Sequence, residues 1–259
     1  MDHSTATKLE YFDNMLKLHS EATFLSHLQT DDGRQAMILD STIFYPQGGG
    51  QPSDTGLITN INSSFKFVVD DVRNKDGIVY HYGHVETLKG NDESEWDIKS
   101  GTIVYLHVDE TRRNLNSRLH SAGHVLDIAI HNVGLGHLEP GKAYHFPDGP
   151  FVEYKGTIPQ TELQNKLEQL ERDANVQISR GEKVFVAVLP YDEAAEMCGG
   201  QLPDYIPKGS NPRIVQIGEH LGCPCGGTHV TDISEIRSMK ISKIRSKKGM
   251  SRVFYSISA

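Results

Sequence analysis

The chain has 259 residues, of which 37% are hydrophobic and 23% charged, with a formal net charge of −8 at pH 7 and a mean hydropathy of −0.43. That length supports one large or two modest domains whose cores need neither disulfides nor metal staples, and two are expected. No stretch approaches the roughly 20 apolar residues of a membrane span, the start lacks a secretory leader pattern, and the three cysteines, Cys198, Cys223 and Cys225, make no disulfide framework, so a membrane role is excluded and a cytoplasmic protein expected.

Residues 8–110 show short alternating runs, such as Ala36–Leu39, Phe65–Val69 and Ile103–Val108, separated by Asp, Gly and Asn clusters. This pattern predicts a compact antiparallel domain, a small barrel, after a short helix near the start. Residues 91–95 read as a polar loop. Near residue 109 the period changes. Leu115, Leu119, Ala122, Leu126 and Ile130 recur at helical spacing, with Asp109 or Thr111 available as N-cap, and predict a helix over 111–132 that Gly134 and Gly136 end.

Tyr144 to Lys155 then reads as two strands about a Pro147-Asp148-Gly149 turn. A second helix is expected over 161–181, with Leu163, Leu167, Leu170 and Ala174 on one face, followed by a strand over 183–189. Residues 194–212 begin as a short helix and become an irregular loop crowded with Gly and Pro. The tail predicts a hairpin, 239–245 and 252–257, across Lys247-Lys248-Gly249. The division expected is 1–110 as the barrel domain and 111–259 as an α+β domain.

The tail is also a charge feature. After Glu235 no acidic residue appears, while Arg237, Lys240, Lys243, Arg245, Lys247, Lys248 and Arg252 follow. A basic block in an acidic protein is either a solvated, lysine-rich strand pair or a phosphate-contact surface.

Four candidate zinc ligands stand in two short runs: His120 and His124 in HSAGH, and Cys225 and His229 in CGGTH. Each pair is spaced i, i+4, so on a helix the two imidazoles leave the same face one turn apart. The expected arrangement has the helix presenting His120 and His124 toward a sheet while the 222–230 loop delivers Cys225 and His229 from the other side. Imidazole and thiolate are the donors zinc prefers. The HxxxH pair alone reads better as surface or core histidines; the second pair in a glycine-rich loop reverses that. Four protein ligands would close the coordination sphere as a structural site, whereas three would leave a position for water or substrate. Cys223 remains an alternative to Cys225. Gly123, costly inside a helix, is accounted for equally by space beside a metal or by close helix packing. His131, His137 and His145 have no partner at ligand spacing and read as surface or hydrogen-bonding residues, although His137 or His145 could line a pocket.

HSAGH followed by CGGTHV, preceded by Arg112-Arg113 and Arg118-Leu119 and by a glycine-rich run from Phe44 to Gly56, resembles the editing domain shared by alanyl-tRNA synthetases and free-standing AlaX-type editing proteins of medium length. A more distant kinship is to threonyl-tRNA synthetase editing domains. The resemblance implies an α+β fold: an N-terminal antiparallel β-barrel carrying the glycine motif, then a two-layer α+β editing domain. It implies hydrolysis of mischarged tRNA(Ala), chiefly seryl and secondarily glycyl esters, with Zn2+ on His120, His124, Cys225 and His229.

It further implies that Gly48, Gly49 and Gly50 let backbone approach the tRNA terminus and that Thr42 and Gln51 read a serine hydroxyl. Arg112, Arg113, Arg118, Lys247 and Lys248 become candidates for tRNA phosphates. The chain departs from many family members at Gly123, often Thr, and at Glu139 or Pro140, often Gln, which bears on amino-acid preference. Two other readings stand beside this one: editing of another mischarged tRNA of the threonyl-type branch, and a zinc-stabilised RNA-binding module without catalysis.

Overall fold

The computed structural model describes residues 6–30, 33–86 and 98–258; the polar loop expected at 91–95 lies outside them. The chain forms two compact units, Met1–Gly48 with Pro52–Arg113, and Gly49–Gln51 with Asn114–Ala259. Among the described residues no helix is long and apolar enough to cross a membrane.

The first unit contains β1 (Lys8–Leu9), α1 (Glu10–Asp13), β2 (His19–Gln29), β3 (Gln35–Leu39), β4 (Ser41–Thr42), β5 (Gly56–Thr59), β6 (Lys66–Lys75), β7 (Ile78–Val85) and β8 (Ile103–Val108). Six of these strands close a barrel in the order β2-β3-β7-β6-β5-β8, antiparallel throughout. Alternation decides which side chains fill it: Phe67 and Val69 of β6 and Val104, Leu106 and Val108 of β8 are buried at every second position, and a bulge between Val69 and Asp71 brings Val72 onto the same buried face. Asp76 and Gly77, with φ of 52° and 82°, make the two-residue turn between β6 and β7 that Asp-Gly favours. Closure leaves no barrel edge unpaired.

Two buried polar groups tie this unit together. Arg113 is 2% exposed and Asp54 0%. The Arg113 guanidinium donates to both Asp54 oxygens, to the Met15 carbonyl at 2.7 Å and to the Ile43 carbonyl at 2.6 Å. His81, fully buried, has Nδ1 3.1 Å from the Met37 carbonyl and Nε2 2.8 Å from Thr42 Oγ1. A carbonyl can only accept, so Nδ1 carries the proton and Nε2 accepts from the Thr42 hydroxyl. Thr42 Oγ1 in turn accepts from the Phe44 N–H at 3.0 Å.

The second unit holds most of α2 (Glu110–Ile130), then β9 (Glu139–Tyr144), β10 (Phe151–Lys155), α3 (Leu163–Arg180), β11 (Val184–Val188), α4 (Tyr191–Met197), β12 (Arg213–Ile217), β13 (Cys223–Pro224), β14 (Met239–Lys247) and β15 (Met250–Ile257). Asp109 Oδ1 accepts from the Arg112 N–H at 3.0 Å, the bond of an N-cap. After α2 a wide turn, His131–Leu135, is broken by Gly134 at φ 79°. One sheet runs β14-β15-β10-β9 and a smaller one β11-β12-β13. Leu119, Ala122, Leu126, Ala129 and Ile130 of α2 and Leu170, Ala174 and Ile178 of α3 share one core with Val152, Tyr154, Ile241, Ile244, Val253 and Tyr255 of the larger sheet. Helices over one sheet face make the α+β layering, and the barrel precedes it as the sequence predicts.

Replacing Arg113 with Ala leaves the buried Asp54 carboxyl without its partner, and the barrel is expected to lose about 3–5 kcal/mol; chemical denaturation of the variant measures it. The barrel also carries a pH dependence. Burial pushes the His81 imidazole down from 6.5 to about 4. Between those values the unfolded chain binds a proton that the folded chain refuses, so stability falls as pH falls from about 6.5 toward 4, by about 3 kcal/mol in total. Denaturation midpoints followed over that range for wild type and His81→Asn are expected to show the variant without this part of the slope.

Candidate metal centre

On α2, His120 and His124 stand one turn apart with their rings stacked at 5.1 Å. The other two donors come from the loop after β13. Arg213 of β12 shapes that loop, donating Nη1 to the carbonyls of Cys225 and Gly227, each at 2.8 Å, while its own carbonyl accepts from the Cys225 N–H at 3.0 Å. Gly227 is required there because a Cβ would overlap the His120 ring. One donor atom from each of His120, His124, Cys225 and His229 falls in a group whose members all lie within 4.8 Å of one another. Cys225 Sγ is 3.4 Å from both His120 Nε2 and His229 Nε2.

The surroundings prepare these atoms as ligands. Gln51 is fully buried, and its Oε1 accepts from the Thr228 N–H at 3.0 Å while its Nε2 donates to Thr228 Oγ1 at 2.9 Å. The backbone donor settles which end of the amide is oxygen. His120 Nδ1, 2.8 Å from that oxygen, must therefore be the protonated nitrogen, which leaves the Nε2 lone pair facing Cys225. Ser121 Oγ lies 3.3 Å from His229 Nδ1 and accepts from the Val230 N–H at 3.1 Å, which ties the second ring to α2. His124 Nδ1 lies 3.4 Å from Cys223 Sγ and 4.0 Å from Asp127 Oδ2. His124 Nε2 is buried without a hydrogen-bond partner.

Burial first, then neighbouring imidazoles, hold His120 and His229 well below their ordinary value, and burial brings His124 down to about 4. All three are neutral near pH 7 and carry lone pairs. Burial raises the Cys225 thiol, so a metal would take the place of its proton and metal affinity would rise with pH. Three neutral imidazoles, one of them His124 with its Nε2 orphaned in the interior, and one thiol fit a tetrahedral divalent cation.

Residues without ligand spacing complete the centre. His145, 3% exposed, stacks on His120 at 4.4 Å and 24°. Its Nδ1 is 2.6 Å from the Tyr255 hydroxyl, which donates to the Leu119 carbonyl at 2.9 Å; the tyrosine oxygen thus accepts the Nδ1 proton. A Cβ on Gly123 would overlap the His145 ring, so the helix glycine makes room for an imidazole. Asp127, whose carboxyl burial pushes up to about 7 against a bond from Tyr154, accepts that tyrosine's hydroxyl at 2.7 Å. The i, i+3 spacing of Asp127 from His124 was a usable signal for a supporting carboxylate; His145 offered none, because a strand end placed it.

The structure corrects several expected roles. Thr42 is fully buried with its oxygen committed to His81 and the Phe44 N–H, leaving no face for a serine hydroxyl. Gln51 spends its amide on His120 and Thr228 and is a positioning residue. Arg113 is consumed by Asp54 and two carbonyls, and Arg118 by the carbonyls of Glu235, Ile236 and Ser258, so neither presents a fork to phosphate. Arg112 is half-buried, its Nε donating to the Ser53 carbonyl at 2.9 Å. Gly48 and Gly49 are exposed. Gly50, at φ 80°, has no room for a Cβ, which would sit 2.5 Å from the Ala143 carbonyl oxygen, and its own carbonyl accepts from the His145 N–H at 2.8 Å. Lys247 and Lys248 are exposed at the β14–β15 turn.

Residues 2–112 match the family described as class II (A) tRNA synthetases, and residues 213–254 match the second additional domain of threonyl and alanyl tRNA synthetases. The alanine–tRNA ligase of Methanosarcina barkeri is 30% identical over 98% of this chain, and that of Methanosarcina acetivorans 31% over the same share, the match spanning 26% of each ligase. The alanyl-tRNA editing protein AlaX-L of Pyrococcus horikoshii is 30% identical over 85% of this chain and 50% of its own length. The chain carries the second additional domain of the threonyl and alanyl tRNA synthetases and over most of its length is similar to alanine–tRNA ligases and to an alanyl-tRNA editing protein. It spans between a quarter and a half of the length of these relatives. The segment that matches this second additional domain, 213–254, opens on Arg213 and includes Cys225 and His229.

Removing the Gln51 amide frees the His120 tautomer and is expected to weaken binding of a divalent metal about 10–100-fold. Chelator competition with Gln51→Ala against wild type measures it, and Gln51→Glu, which keeps an acceptor opposite Nδ1, is expected to recover part of the loss.

Proposed function

We propose that the protein is an aminoacyl-tRNA deacylase that clears mischarged tRNA(Ala), chiefly of serine and secondarily of glycine, with Zn2+ held by His120, His124, Cys225 and His229. The observation that carries this reading is the convergence of four metal donors, three of them neutral imidazoles, from a helix and a separate loop. The similarity to alanine–tRNA ligases and to an alanyl-tRNA editing protein supports the choice of tRNA. The domains proposed are 1–110 for the barrel and 111–259 for editing, in the cytoplasm.

The reaction has a physical reason to exist. A pocket made for alanine discriminates poorly against an analogue that adds a hydroxyl and cannot sterically exclude glycine, so a second, hydrolytic sieve restores accuracy. An aminoacyl ester is already reactive, and the site must contribute position and stabilisation of developing oxyanion charge. When bound, Zn2+ would supply a Lewis acid for the ester carbonyl or an anchor for the amino group or serine hydroxyl. Gln51 holds the His120 nitrogen that faces Cys225 unprotonated, and Ser121 steadies the His229 ring. His145 packs against His120 and shields it from water. Exposed Gly48 and Gly49 leave backbone open to the ribose, while Arg112, Lys247 and Lys248 contribute positive charge toward phosphate.

His120→Ala and Cys225→Ala are each expected to lose bound zinc, read by metal analysis, and to slow deacylation of seryl-tRNA(Ala) by about 100-fold or more, the scale of several kcal/mol of charge stabilisation. Glycyl and alanyl esters on the same tRNA rank the amino-acid preference. Wild-type turnover in a metal-free Cys225→Ala protein would sink the proposal, and RNA binding without turnover by the wild type would favour a non-catalytic module.

A further inference from the structure

The four-stranded sheet of the second unit has one face in the core and another that the proposed chemistry does not use. Its outward row is aromatic. In register across the strands, Tyr144 of β9 pairs Phe151 of β10, Phe151 pairs Phe254 of β15, and Phe254 pairs Lys243 of β14. Tyr144 and Phe151 stack at 5.6 Å, Phe151 and Phe254 approach to 5.3 Å, and Phe146, just beyond β9, lies on Tyr144 at 4.4 Å and only 9° from parallel. All four rings are part-exposed, while their strand neighbours Val152, Val253 and Tyr255 are buried on the opposite face.

Cations frame the row. Lys243 Nζ and Arg245 Cζ stand 5.5 and 5.7 Å from the centre of the Phe254 ring, and Arg252 Cζ stands 4.9 Å from that of Phe151. The four strands together carry seven lysines and arginines (142, 155, 240, 243, 245, 247 and 252) against two glutamates, Glu139 and Glu153. Both glutamates are already paired, with Lys155 at 3.2 Å and Arg252 at 2.5 Å. In a chain of net charge −8 this face has the opposite sign, so its charge is a property of the surface and not of the composition.

From these observations we propose that the outer face of the β14-β15-β10-β9 sheet is a stacking platform for unpaired RNA bases, with Tyr144, Phe146, Phe151 and Phe254 as the stacking rings and Lys243 and Arg245 along the backbone. Flat π-faces joined by a polyanion are the chemistry that matches alternating rings and cations. A duplex hides its bases, and an acidic peptide satisfies the charge without using the rings. Tyr144 and Phe146 flank His145 in sequence, their rings stacked together on the outer face while the His145 ring is buried against His120. The proposal deepens the tRNA reading and rests on it for the choice of RNA, a 3′ single-stranded end being the part of such a substrate that must reach the ester site.

The test uses the full chain and two RNA hairpins, one with a single-stranded 3′ extension and one blunt. Phe254→Leu keeps an apolar strand residue but removes the ring; it is expected to weaken binding of the extended hairpin about tenfold, the effect of one lost base stack, and to leave the blunt hairpin unchanged. Tyr144→Leu, at the sheet edge, is a second variant with the same expectation, and unchanged melting curves exclude misfolding. Lys243→Gln with Arg245→Gln is expected to weaken both hairpins and flatten the salt dependence. Equal wild-type affinity for the two hairpins, wild-type binding by both leucine variants, or displacement of RNA by polyglutamate at equal charge would each overturn the platform. Deacylation assayed in parallel separates the two proposals. An inactive wild type that still prefers the extended hairpin defeats only the enzyme reading, whereas Phe254→Leu with unaltered KM on seryl-tRNA(Ala) and unaltered hairpin binding defeats only the platform.

Discussion

A single carboxamide determines how the candidate metal centre is wired. Gln51 Oε1 receives the Thr228 N–H at 3.0 Å, so it cannot be a donor, and the His120 Nδ1 facing the same oxygen at 2.8 Å has to be protonated and donate that bond. Everything downstream follows from that sign. The opposite ring nitrogen keeps its lone pair and points at Cys225. Thr228, held by Gln51 and by Ser117 Oγ at 2.8 Å, anchors the loop between Cys225 and His229. An imidazole in the wrong tautomer would present a proton where an electron pair is required, and no amount of correct ligand spacing would compensate.

The centre also depends on atoms that are missing from its glycines. At Gly123, Gly227 and Gly50 a Cβ would meet the His145 ring, the His120 ring and the Ala143 carbonyl respectively. These three positions let a helix, a loop and a strand end approach more closely than side chains permit. Close approach excludes water, and exclusion of water keeps the imidazoles neutral. Packing and protonation are therefore one phenomenon here: the steric fit that stacks His145 on His120 is what pushes both rings away from carrying charge.

Much of this was legible in the sequence, for reasons that can be named. The runs Ala36–Leu39, Phe65–Val69 and Ile103–Val108 read as strands because a period of two is local. The α2 stripe and the two i, i+4 ligand pairs are local as well. Residues whose role comes from tertiary contact were not legible. Arg113 was read as a phosphate ligand because its partner Asp54 is 59 positions upstream and no spacing rule joins them. Thr42 and Gln51 were read as substrate contacts because a polar side chain beside a glycine run looks the same whether it ends in a pocket or in a buried network. His145 was passed over because imidazoles are recognised by regular intervals, and its place is set by the end of β9. The aromatic row on the outer sheet face involves residues from three strands, and only register lines them up.

Gly49–Gln51 packs with the second unit although the residues on either side of it, through Gly48 and from Pro52, belong to the first. The polypeptide therefore crosses between units three times, and two of the crossings bound a tripeptide that contributes a single side chain of consequence. A fragment cut at the start of α2 would retain all four metal donors and still lack the amide that sets the His120 tautomer. Such a piece could pass every test of ligand content while holding its cation loosely, so the excised region is a poor stand-in for the intact chain when its chemistry is dissected.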